Sequence, residues 1–464
     1  MGYFDGASSG SPEAPQVEAL AKALAAGYGT DAATFINGRA LIPENLESTV
    51  VNVVAALKED CKLLNSMKTV PVKSTVHEVN RRTSHGDYRF LSTPEGGPSR
   101  ETDQAIERVP FMQKYIQTKR RVTRQMELVD SFEDAYTSEK LSGVEVVCKA
   151  AEYNLFHGDS SVVPTDFDGF IPAIKKSASP NIEDLRGASV GSKGEGFFDD
   201  MAARVWERGG DLSRVLFPSK LARDIKDLFT DRLRMMVKDQ KATFDQLPDY
   251  PTAIGSTLRF TGEGAGADKF FHVRGPVAAC GDPEKRPNPV SSVAVAALTS
   301  QAGSMFAAAD AGDYRYTVFA ENHSGISTGV SPGGAGTVAA GGGLQLTITP
   351  DKSKPVTGLI VCRSAKGGTD VMEMVQIPVG AGATTVFVDL NKDLPGTASM
   401  LFLTQERIQP VYKLGQLLPV STYPLYPVNA AETPFLVMFY GALELRAPEF
   451  CAIAENISYP GGLY

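Results

Sequence analysis

From Glu44 onward, Leu46, Val50, Val53, Val54, Leu57, Cys61 and Leu64 recur at steps of three and four. That spacing is one face of an amphipathic helix, and Pro43 suits its start. A second such face, Leu141, Val144, Val147, Cys148, Ala151 and Leu155, predicts a long helix over 138–156. Ser138 would cap it and Gly158 end it. Between these helices the period changes to two. Val70, Val72, Val76 and Val79 alternate with polar residues, and a second strand-like run passes through Tyr115, Ile116 and Val122. The turn-rich stretches 84–87 and 93–99 lie between the runs, so the pattern predicts an extended β-hairpin projecting from a body. Phe167–Ile171 reads as a turn into a short strand and Phe197–Trp206 as a helix. Residues 214–218 read as a buried strand ended by Pro218, and 219–237 as a helix capped by Ser219.

After Arg286 the pattern changes again. Residues 286–405 hold only fifteen charged residues, and short alternating runs replace helices: 314–320, 344–348, 359–363 and 385–389. Glycine pairs and triplets separate them. Repeated short strands with such turns predict a β-sandwich of roughly 115 residues. The 311–322 segment is similar to the F-strand region of immunoglobulin or fibronectin type III modules, and the missing Cys–Trp–Cys core favours the fibronectin kind. Helix-and-strand patterning resumes at 411–418, followed by a Pro-rich link (Pro419, Pro424, Pro427) and the apolar run 435–443. The sandwich therefore reads as an insertion within one α/β body. Residues 1–43 read as a partly extended arm, and 241–285 as loop-rich.

Length and composition fit a multidomain globular chain: 464 residues, 42% hydrophobic, 22% charged. The net charge of −8 lacks the basic footprint of a nucleic-acid binder. The distribution is uneven. Residues 68–125 carry twelve cations against six acids, a local +6 that leaves −14 for the remainder. A basic ribbon on an acidic body suits docking on a neighbouring copy of the same chain, the bland alternative being a solvated face. Five scattered cysteines (Cys61, Cys148, Cys280, Cys362, Cys451) without a C-x-x-C indicate neither a disulfide framework nor a zinc site. Folding in a reducing cytoplasm is the simplest account. No signal peptide is recognisable, and no apolar run approaches the roughly 18 residues of a membrane span. A soluble protein is expected.

No chemistry-bearing constellation emerges. The five histidines show no metal-ligand spacing, and no Gly-x-Ser-x-Gly elbow occurs. The 187–193 segment (GASVGSK) lacks the spacing of a phosphate loop, and 262–266 (GEGAG) lacks the strand–helix context of a dinucleotide site. His157 reads as a helix-end residue facing the dipole. No catalytic residue, metal ligand or cofactor is predicted, and the chain reads as structural and not as an enzyme.

The order of parts resembles the major capsid protein of tailed bacteriophages, especially the large contractile-tailed ones. The most telling stretches are Ala151–Ser161 (AEYNLFHGDSS) leading to Phe167–Phe170 (FDGF), and Phe439–Pro448 (FYGALELRAP). The resemblance implies an α+β capsid fold carrying an inserted all-β Ig-like sandwich. It divides the chain into an N-terminal arm and first helix (1–67), an extended loop (68–128), a spine helix with a peripheral α/β domain (129–240), part of an axial domain (241–285), the insert (286–405) and a return to the axial and peripheral body (406–464). It implies self-assembly into hexamers and pentamers that form an icosahedral head around double-stranded DNA. Arg81, Arg82, Lys119, Arg120, Arg121 and Arg124 become candidates for inter-subunit salt bridges on the extended loop. The implied partners are further copies, a scaffolding protein, a portal and a cement protein, with DNA enclosed but not read and no membrane. The implied location is the virion, assembled in the host cytoplasm. The alternatives are an encapsulin-like compartment shell and a carbohydrate-binding or adhesive surface protein whose sandwich does the work.

Overall fold

The computed structural model describes residues 61–86, 89, 91–128, 134–229, 235–238, 241–244, 249–261, 265–404, 411–427 and 431–464. The arm and nearly all of the first predicted helix lie outside the described residues; its end is the short helix Lys62–Ser66. One compact unit comprises 55–128 and 135–464, and all that follows concerns it. Among the described residues, no helix is long and apolar enough to cross a membrane.

A four-stranded sheet carries the first core. Its order is Thr69–Pro71, Tyr412–Pro424, Glu432–Leu445 and Lys114–Thr123. The long helix Ala135–His157 lies on one face, with Val147, Ala151 and Leu155 against Phe435, Val437 and Phe439. It starts three residues before Ser138, so that serine sits inside the helix and does not cap it. Leu141, expected on the buried face, is exposed. Past the helix end, the Gly169 N–H donates to the Gly158 carbonyl at 2.7 Å. A Cβ on Gly169 would stand 2.5 Å from the Asn154 carbonyl oxygen, so only glycine lets the chain fold back here. That return leads directly into the helix Phe170–Lys175, not into the strand expected from Phe167–Ile171.

A second, seven-stranded mixed sheet is built around Leu212–Pro218, flanked by Ala398–Thr404 and Thr257–Arg259, with Ala452–Ile457 beyond. The helix Gly196–Glu207 packs Phe197, Phe198, Met201 and Val205 against it. Three sequence expectations change here. Residues 219–228 are a 3-10 turn followed by a helix that ends at Leu228, no side-chain cap forms at its start, and 235–238 is a strand paired with 241–244. Residues 249–268 contribute strands to this sheet through Leu212–Pro218, because their alternating Tyr250, Leu258 and Ala267 reach the same core. Residues 398–404, placed by composition in the insert, are a central strand here and bury Met400 and Phe402.

Residues 280–389 form a β unit of two main sheets and a two-stranded pair, Gly312–Tyr314 with Gly336–Val338. Five strands run in the order Cys280–Gly281, Gly325–Ile326, Tyr316–Asn322, Gly358–Ser364 and Val371–Pro378. The other sheet orders Ser292–Leu298, Gly343–Thr349 and Thr385–Asp389. Val318, Leu359 and Val361 of the first meet Val293, Leu344 and Leu346 of the second in one core. The five cysteines form no disulfide, and Cys280 is the exposed one.

Candidate assembly surface

Val76–Ser84 pairs with Ala105–Met112 in a two-stranded ribbon, in register from Val76↔Met112 to Arg82↔Ile106. Among the described residues neither strand pairs with a third strand, and no residue of either is buried; Ile106 and Met112 are exposed. An isolated ribbon of this kind is marginal in water and needs a surface to lie on. The ribbon is shorter than the predicted 68–128 span. Residues 69–71 and 114–123 are strands of the four-stranded sheet, because ten consecutive residues from Lys114 match the 432–445 strand. At the root, His77 Nδ1 meets Glu444 Oε1 at 2.6 Å, and Arg446 Nη2 donates to Glu444 Oε2 at 2.8 Å. Glu444 is fully buried, so this network fixes where the ribbon leaves the body.

The six predicted cations therefore do not share one element. Arg81 and Arg82 stand on the ribbon, Lys119, Arg120 and Arg121 on the sheet strand, and Arg124 on the short helix Arg124–Leu128. Four have partners within the chain. Arg81 donates twice to Glu107 across the ribbon (2.8 and 2.9 Å), Arg120 reaches Glu139 of the long helix, Arg121 reaches Glu432, and Arg124 reaches Glu127. Arg82 and Lys119 make no ion pair among the described residues. Exposed pairs of this kind contribute about 0–1 kcal/mol, so a neighbour can exchange them.

The four-stranded sheet also has an open face that the sequence concealed. Alternation sends Phe435, Val437 and Phe439 toward the long helix and Leu436, Met438 and Tyr440 away from it. Tyr115 stands beside Tyr440 edge to face at 4.7 Å, and Tyr423 pairs with Leu436 in register. Tyr115 is 51% and Tyr423 58% exposed. Lys119 and Arg121, opposite Leu436 and Pro434, form a cationic edge. An apolar, aromatic centre with a charged rim is the anatomy of a protein interface. Residues 435–443 read as a plain apolar run because both faces of this strand are apolar, and only the pairing separates them.

The chain just ahead of the ribbon is held by a buried carboxylate. Glu152 of the long helix accepts the N–H groups of Leu63 and Leu64, both at 2.7 Å, capping the 62–66 helix. Burial first, and then the nearby Asp268 carboxylate, push its pKa up to about 8 from 4.5. Because the folded value is raised, its contribution to stability is fully present below about pH 4.5 and lost as pH rises toward 8. Glu152→Gln removes that ionisation cost, roughly 1.4 kcal/mol for each pH unit of upward shift. In denaturant unfolding at pH 5 and pH 8.5, the variant is expected to gain on the wild type at the higher pH. Parallel pH dependence in the two proteins would refute it.

No family model matches the chain. It is 24% identical over 470 residues to the major capsid protein of Staphylococcus phage S25-3, and equally to that of Staphylococcus phage K, covering 95% of this chain and of each relative. Among solved structures it is similar to the capsid of the native GTA particle (TM-score 0.44, 11% identity, 93% of this chain and 100% of that chain). It is also similar to the holo-SrpI encapsulin complex of Synechococcus elongatus PCC 7942 (TM-score 0.44, 11% identity, 92% and 98%).

Proposed function

We infer that this chain is a major capsid protein of the tailed-phage kind, a structural protein whose copies form the icosahedral head. The carrying observation is its similarity to phage major capsid proteins along 95% of both chains. The hexamers and pentamers of such a head enclose double-stranded DNA, and the acidic remainder of the chain suits a container that must not grip its cargo. The ribbon 76–112 of one copy lies on a neighbour, and the open face around Tyr115, Met438 and Tyr423 is the surface suited to receive it. A scaffolding protein, a portal and a cement protein complete assembly in the host cytoplasm, and the finished location is the virion. The β unit is an immunoglobulin- or fibronectin-like insert on the outer surface. The deciding experiment is negative-stain electron microscopy of the purified chain with light scattering. Rings of five or six, or closed shells tens of nanometres wide, support the reading; a monomer at high concentration, unchanged by scaffolding factors, overturns it.

Within this reading Arg82 and Lys119 are the inter-subunit cations, since neither makes an ion pair among the described residues of its own chain. Arg82→Glu combined with Lys119→Glu is expected to cut the yield of closed shells sharply at low salt. The melting of the unassembled chain should stay within about 0.5 kcal/mol of wild type, as is usual for surface substitutions. Unchanged shell yield would remove both residues from the interface.

A further inference from the structure

Three stretches contain no charged residue: 287–309, 324–350 and 374–388. The fold brings part of each to the three-stranded sheet of the β unit. Alternation turns Val295, Leu346 and Phe387 toward the core. Two cross-strand rows then face outward, Ala296–Gln345–Val388 and Ala294–Thr347–Val386. Val386 is 55% exposed, and both alanines are exposed. Among the described residues the outermost strands, 292–298 and 385–389, each pair on one side only. No outward-facing Lys, Arg, Glu or Pro guards either one, although such residues are the usual protection of a free edge.

We propose that this face is a contact surface for the same face of a second copy of the chain. Charge selects the occupant. Outside 68–125 the chain carries −14, so most of its surface would meet its own copy with like-charge repulsion, which costs several kcal/mol for directly opposed groups. A twofold contact sets one patch against itself, so the patch must be internally balanced or uncharged. This one is uncharged throughout. Apart from Gln345 its outward side chains are small or β-branched, which leaves a flat surface that two copies can approach closely without opposing charges. The inference goes beyond the shell reading and does not require it; within a shell, the contact ties together the β units of two neighbouring copies.

The test uses full-length chain carrying Thr347→Lys or Thr347→Glu, alone and mixed in equal amounts, followed by sedimentation of the unassembled protein. Each variant alone sets like charges against each other and should lower the association constant about tenfold or more. The mixture sets opposite charges together and should restore or exceed wild-type association. Val386→Lys with Val386→Glu repeats the design at an exposed neighbouring position, in case a charge at 347 disturbs folding. Wild-type association in both single variants, or no recovery on mixing in either pair, overturns the proposal. The readout separates the two ideas. If wild type forms no shells, the mixing result still tests this contact; if shells form but mixing changes nothing, only this contact fails.

Discussion

Asp389→Ala is expected to destabilise the β unit by about 3–5 kcal/mol, the usual effect of removing one partner from a buried ion pair. The Arg363 side chain is fully buried. Its Nη1 donates to Asp389 Oδ2 at 2.6 Å, and its Nη2 donates to Asn391 Oδ1 at 2.7 Å. The Tyr316 hydroxyl donates to the same Asp389 oxygen at 2.7 Å, and the Tyr314 ring lies 5.0 Å from the guanidinium carbon. Without the carboxylate, the cation stays inside with Asn391 and the Tyr464 hydroxyl as its remaining hydrogen-bond partners among the described residues. Hydrogen exchange should show 280–389 opening while the 135–157 helix keeps its protection. Arg363→Met with Asp389→Leu should recover much of the loss, because no uncompensated charge remains. If Asp389→Ala unfolds within 1 kcal/mol of wild type, the buried network does not hold the unit together.

Replacing residues 82–106 with Asn-Gly, which joins the paired Arg81 and Glu107 through a two-residue turn, is expected to abolish shell assembly. Among the described residues of the removed segment none is buried, and the root network of His77, Glu444 and Arg446 is left intact. The thermal midpoint of the unassembled chain should therefore change little, while electron microscopy shows no closed particles. Shells at wild-type yield would mean that the ribbon is not the joining element. A large fall in the melting midpoint would mean that it supports its own chain instead.

Much of the local structure was legible in the sequence. The helix expected over 138–156, the strand ending at Pro218 and the runs 344–348, 359–363 and 385–389 each announced themselves by a period of 3.6 or 2, while the run 314–320 straddles two strands, 312–314 and 316–322, of different sheets. The failures share a cause. Residues 114–123 alternate equally well for a free ribbon and for a sheet strand, and their partner lies more than 300 positions away at 432–445. Pro419 looked like part of a link, yet it sits in a register shift of the 412–424 strand, a place where proline does no harm. Residues 398–404 share the low charge of the β unit because a central strand buried on both faces excludes charge just as a sandwich does.

The candidate surface shows the same division. Periodicity pointed, from residues alone, to an extended ribbon, a long helix and a charge-poor β unit, because those signals are set by neighbours within a few positions. The positive charge expected on the ribbon lies elsewhere, since residues 76–112 hold five cations against six acids. Which cations stand on the ribbon and which on the sheet, which side of the 432–445 strand is open, and that three uncharged stretches meet on one face were decided only by tertiary pairing. Those relations join residues tens to hundreds of positions apart, and strand alternation fixes a side chain's face only after its partner strand is known.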